Sequence, residues 1–137
     1  MADGSLKSRE GHEITGTVKT ARMPPDAGAV HDDRLARSAG LRGGYIVNEY
    51  HFAQITEMLL HYFGPVWFTH GEIEVKYIAP LLDKDTFIPR ARVIGEDPPG
   101  SGRLNLDIWC ENQHGQKLGV GRASCLVPGG EVQGLEK

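Results

Sequence analysis

Two hydrophobic periods run along the chain. Between residues 46 and 63, Val47, Phe52, Ile55, Met58, Leu59, Tyr62 and Phe63 recur at intervals of mainly three or four and stop at Gly64-Pro65, which predicts one long amphipathic helix over about 46–63. Elsewhere the period is two. Ile14, Gly16 and Val18 alternate with Glu13, Thr15, Thr17 and Lys19; Ile73, Val75 and Tyr77 alternate with Glu72, Glu74 and Lys76; Leu104, Leu106 and Ile108 alternate with Arg103, Asn105 and Asp107. Such alternation turns one face of a strand to a core. It predicts strands over 12–20, 71–79, 85–95, 103–112 and 116–127, the last two joined at His114-Gly115. Pro89 lacks the N–H that a ladder needs, so the 85–95 strand is expected to lie at an edge or to bulge. A short helix is predicted from an N-cap at Asp32 or Asp33 to Ala39, closed by Gly40.

The order is strand, short helix, long helix, then four strands. An antiparallel sheet whose apolar face needs cover wraps around the one long helix, so the fold class is α+β with that helix at the centre. At 137 residues there is material for one core. The domain is expected over 12–128, between tails at 1–11 and 129–137 that show no sustained hydrophobic period.

Composition narrows the function by exclusion. With 39% hydrophobic and 24% charged residues the chain is globular rather than disordered. A formal charge of −3 without a block of like charge argues against nucleic acid or an anionic membrane as a general partner. The first residues lack the basic and apolar regions of a signal peptide, and His61, Gly64 and Pro65 break the most apolar stretch. Cys110 and Cys125 are too few for a disulfide framework and too far apart for a CxxC motif. The strand register would set Cys110 opposite 119 and Cys125 opposite 104, not opposite each other. A cytoplasmic address is expected.

The densest polar cluster at a junction of elements is Asp26-Ala27-Gly28-Ala29-Val30-His31-Asp32-Asp33. A carboxylate and an imidazole five residues apart on a loop can converge on one water molecule, and such a pair both takes and gives a proton near neutral pH. A turn cap at Asp26 and a surface imidazole at His31 would give the same spacing. His31, Asp32 and Asp33 point in different directions and have no second ligand cluster, so no metal is expected. His51 and His61, ten residues apart on the long helix, are expected nearly on one face and to be packed or interfacial rather than ligands.

Asp26-x-x-x-x-His31-x-Asp33, followed by Ala36, Gly40, a glycine pair and the long helix, resembles the MaoC-like (R)-specific enoyl-thioester hydratases and dehydratases. The family's loop reads Asp-x-Asn-Pro-Ile/Val-His-x-Asp. Tyr77-x-x-Pro80-x-x-x-x-Asp85-Thr86 also resembles that family's Phe-x-x-Pro-Val-x-x-Gly-Asp-Thr. The resemblance covers about 12–128 and implies the hotdog fold, with Asp26 and His31 as the catalytic pair and Gly44, Tyr45, Asn48 and Glu49 against the substrate. It implies an acyl thioester of coenzyme A or an acyl carrier protein as substrate, no further cofactor and a homodimer or higher homo-oligomer. The chain departs from the family in three places. Gly28-Ala29 replaces Asn-Pro, Asn48-Glu49 stands where the family has His-Gly, and only about five residues separate the first strand from Asp26. A hotdog thioesterase using Glu49 or Glu57, and a non-catalytic acyl-binding subunit, are the alternatives. Trp67 and Phe68 are expected in the core or at a dimer contact, and Arg34, Arg37 and Arg42 either on a solvated helix face or at the phosphates of coenzyme A or a carrier-protein arm.

Overall fold

The apolar stripe after residue 46 does become the central helix. The computed structural model describes residues 6, 9–22, 33–40, 46 and 48–127, and for Asp33, Leu35, Ala36, Asn48 and Glu49 the backbone alone. Its helices are α1 (Asp33–Ser38), α2 (Asn48–Phe63) and α3 (Val66–His70). Its strands are β1 (Glu13–Thr15), β2 (Lys19–Thr20), β3 (Gly71–Tyr77), β4 (Thr86–Glu96), β5 (Arg103–Asn112) and β6 (Lys117–Leu126). No described helix is long and apolar enough to cross a membrane.

The strands form one antiparallel sheet in the order β1-β4-β5-β6-β3, with β2 beside β1 along the same side of β4. Leu104, Leu106, Ile108 and Cys110 of β5 alternate with less buried neighbours and meet Ile55, Met58, Leu59, Tyr62 and Phe63 of α2 in one core. Each large aliphatic side chain so buried contributes about 1.5–3 kcal/mol, which is why the sheet closes over this helix face. Cys110 faces Gly119 and Cys125 faces Leu104 across the β5–β6 ladder, as the alternation predicts, and both are free thiols. Burial pushes their pKa values up, to about 12 and about 11, so they act as small apolar residues. At Gly121 a Cβ would collide with the Glu74 carbonyl oxygen; β3 can lie this close to β6 because position 121 has no side chain.

Pro89 is resolved differently from either expectation. β4 is an interior strand, and its register shift lies between Val93 and Gly95. The Pro89 carbonyl accepts the Gly16 N–H at 2.9 Å. A residue of an antiparallel strand turns its N–H and C=O to the same neighbour, so the missing donor faces the first strand. That strand accordingly breaks: β1 pairs through Thr15↔Arg90 and β2 resumes at Lys19↔Phe87. The predicted 12–20 strand is therefore two short ones. A Cβ on Gly16 would stand 2.5 Å from Pro89 Cγ, which explains the glycine at the break.

Two further boundaries move. Within the segment expected as an N-terminal tail, Leu6 is 1% exposed in the core, and the Gly11 N–H donates to Val93 O at 2.8 Å. These residues pack on the domain. α2 begins at Asn48 rather than 46, and the Ile46 N–H donates to Leu81 O at 2.7 Å. Residues 1–5 and 128–137 lie outside the described residues.

Asp85 fastens this end of the sheet. It is 5% exposed; one carboxylate oxygen accepts the Leu82 N–H at 3.1 Å and the other accepts Gln113 Nε2 at 3.0 Å. Asp85→Ala removes both bonds and leaves a buried N–H without an acceptor. Hydrogen bonds to a charged group are worth about 1.5–3 kcal/mol each, so we expect a loss of about 3 kcal/mol, read as a lower urea midpoint with an unchanged slope.

Candidate functional site

The start of α2 lies where three chain segments are tied together. The Ala21 N–H donates to Asp85 O at 2.7 Å, the Lys84 N–H to Ala21 O at 2.8 Å, and the Ile46 N–H to Leu81 O at 2.7 Å. Ala21, Ile46 and Leu81 are all buried. The stretch 81–85 therefore holds the chain on both sides of the segment that carries Asp26 and His31. Those two residues, and Gly44 and Tyr45, lie outside the described residues. Asn48 and Glu49 are the first two residues of α2. At a helix start the backbone N–H groups have no intrahelical acceptor and sit at the positive end of the macrodipole, so this 16-residue helix offers donors for an oxyanion there.

The next residues fix the helix end against the sheet. The Tyr50 hydroxyl donates to Thr20 O at 3.4 Å, and its ring meets Phe87 edge-on with centroids 5.8 Å apart. His51 turns the other way and stacks on Tyr77 of β3, with centroids 5.0 Å apart and planes 14° from parallel. It is 1% exposed, and neither ring nitrogen has a hydrogen-bond partner. Burial lowers its pKa from the ordinary 6.5, so the imidazole is neutral at pH 7. Gln54, one turn further on, also has a buried Oε1 without a donor.

His51 and His61 are not on one face. Ten residues turn a helix by about 1000°, roughly 80° short of three full turns; His51 is in the core and His61 is exposed. The positions 51, 55, 58 and 62 form the buried stripe, and His51 holds the place that the apolar period assigned to Phe52. The i, i+4, i+7 spacing back from Met58 is the signal that identifies it. Glu57 pairs with Lys19 at 3.4 Å on a partly exposed surface. Trp67 packs on the core and stacks on Phe63, whereas Phe68 is 75% exposed. Arg34 and Arg37 are exposed on α1, and Arg42 lies outside the described residues. Among the described residues, no three of His, Cys, Asp and Glu gather as metal ligands would.

His51 gives this site a pH signature. Its pKa is lower folded than unfolded, so below pH 6.5 the unfolded chain binds the extra proton and stability falls with falling pH. The slope reaches at most about 1.4 kcal/mol per pH unit. Denaturant melts from pH 7.5 down to 5 should show this loss, and His51→Phe should flatten it.

No protein-family profile matches the chain, and no curated protein sequence matches it significantly. Solved structures do. The unliganded R-hydratase PhaJ1 from Pseudomonas aeruginosa superposes with a TM-score of 0.68 at 13% identity, covering 86% of this chain and 81% of its own. The ChsH1-ChsH2 complex from Mycobacterium tuberculosis gives 0.68 at 13% identity, with 86% and 97% covered. A MaoC-like dehydratase from Rhodospirillum rubrum gives 0.67 at 16% identity, with 86% and 91% covered. The chain has the hotdog fold of the MaoC-like hydratases and dehydratases.

Proposed function

We propose that the protein is an acyl-thioester hydratase or dehydratase, interconverting a 3-hydroxyacyl and a 2-enoyl thioester. The observation that carries this reading is the tie at 81–85. In a hotdog fold, the chain on either side of the Asp26–His31 segment is fastened to the stretch beside the start of α2. A proton-transfer pair and a set of unpaired helix amides are what the reaction needs next to each other.

Dehydration requires a base for the C2 proton, an acid for the departing hydroxyl and donors for the enolate-like thioester oxygen. Asp26 and His31 serve the first two through the departing water, and the amides at Asn48 and Glu49 serve the third. The proton moves between side chains and substrate, so the step calls for no redox or metal cofactor; coenzyme A or phosphopantetheine enters as part of the substrate. Glu49 stands where the MaoC-like family has glycine, and a longer polar side chain at that position would favour short or polar acyl groups. We place the enzyme in the cytoplasm. A thioesterase is the rival reading, and the Lys19–Glu57 ion pair leaves Glu49 as its better helix carboxylate.

β3 pairs with β6 on one side only, and among the described residues its other edge has no strand against it. Exposed Tyr77 and Ile78 continue that edge. An open edge of this kind favours a second copy of the chain. Light scattering at micromolar concentration should return at least a dimer of the 15.0 kDa chain; a monomer throughout would remove the homo-oligomer.

The catalytic pair has its own test. Asp26→Asn and His31→Ala should each lower kcat for enoyl-thioester hydration by about 10²-fold or more, with the circular dichroism spectrum unchanged. The double variant should be scarcely slower than the worse single one, because half a proton relay transfers nothing. Losses that multiply would mean separate roles, and activity surviving both changes would move the chemistry to Glu49.

A further inference from the structure

The two edges of the sheet are built differently. At one, β1 and β2 are three and two residues long, with the break between them at Gly16. At the other, β3 runs unbroken over seven residues, carries no proline and pairs with β6 without a register shift. Short or broken edge strands deter pairing with another chain, and long regular ones invite it. The core-facing side of β3 is also incompletely covered: Ile73 and Val75 are only half-buried against the core, and Tyr77 is 37% exposed.

An antiparallel pair of identical strands is centred on a residue that faces its own copy, and residues opposite each other share a face of the sheet. Registers that pair most of β3 are centred on Ile73, Glu74 or Val75. Centred on Ile73, the exposed Glu72 and Glu74 oppose each other twice. Centred on Glu74, Glu72 meets Lys76 but the two Glu74 carboxylates face each other, and like charges directly opposite are destabilising. Centred on Val75, Glu74 faces Lys76 twice, Ile73 faces Tyr77 twice and Val75 faces itself. Opposite charges then meet on the wet side and apolar groups on the core side, and both kinds of pair are favourable.

We propose that two copies of this chain join β3 to β3, antiparallel, about a twofold axis at Val75. The pairing rests on the homo-oligomer of the proposed function and not on its chemistry. Ile73 of the partner subunit then lies against Tyr77, the ring on which His51 is stacked with centroids 5.0 Å apart. The second copy thereby supports the buried imidazole in the first turn of α2.

Cysteine cross-linking of the full chain reads the axis. Cα atoms directly opposite each other are about 4.5–5.5 Å apart, within the span of a disulfide. With the axis at Val75, the two copies of residue 74 are about 8 Å apart, beyond that span. Under oxidant, Val75→Cys should form a covalent dimer, and Glu74→Cys and Ile73→Cys should not; Cys110 and Cys125 are fully buried and do not compete. Charge reversal is the second measurement. Lys76→Glu should weaken the dimer at least about tenfold in sedimentation, and adding Glu74→Lys should bring it back to within about threefold of the wild type. A cross-link at residue 73 or 74 instead, or a double reversal no tighter than the single one, would overturn the register while leaving a dimer. A wild type that sediments as a monomer would remove the homo-oligomer as well.

Discussion

The buried carboxylate of Asp85 is the constraint on which the end of the molecule around the start of α2 depends. A carboxylate that is nearly out of water has to be satisfied by donors, and Asp85 finds them in its own turn, at Leu82, and in the β5–β6 hairpin, at Gln113. Its backbone oxygen takes the Ala21 N–H, and Leu81 four residues earlier takes that of Ile46. One short turn thereby joins the end of β2, the hairpin and the approach to α2. These bonds act together with Tyr50 on Phe87 and His51 on Tyr77 at the start of the helix, and the core holds α2 from Ile55 onward.

The same arrangement explains the division of labour along α2. Its first turn presents backbone amides and, one step in, an imidazole that burial holds neutral. Its last turns carry Tyr62 and Phe63 into the core.

Much of the fold was legible because one sheet face is wet and the other dry. Residues 103–112 alternate throughout, and β5 occupies that span; the Cys110 and Cys125 registers follow from the same alternation. The misses have local causes. Leu6 stands alone in a polar segment, so no period announces its burial. Pro89 signals a missing donor but not which neighbour loses it, and the neighbour that breaks is the first strand. His51 sits at a stripe position with a side chain that reads as polar, so Phe52 drew the attention that belonged one residue earlier. Of the candidate site, the motif Asp26-x-x-x-x-His31 could be read only as a proposal and lies outside the described residues, and the tie at 81–85 was not legible, because backbone bonds between Ala21, Ile46 and a turn sixty residues from the first leave no mark in side-chain pattern.

Incubating the purified protein with crotonyl-CoA and longer enoyl-CoAs tests the proposed chemistry most directly. Hydration predicts that the enoyl absorbance falls while no free thiol appears. Release of thiol would identify a thioesterase, and an unchanged absorbance with every enoyl-CoA would contradict a catalytic role for the Asp26–His31 segment.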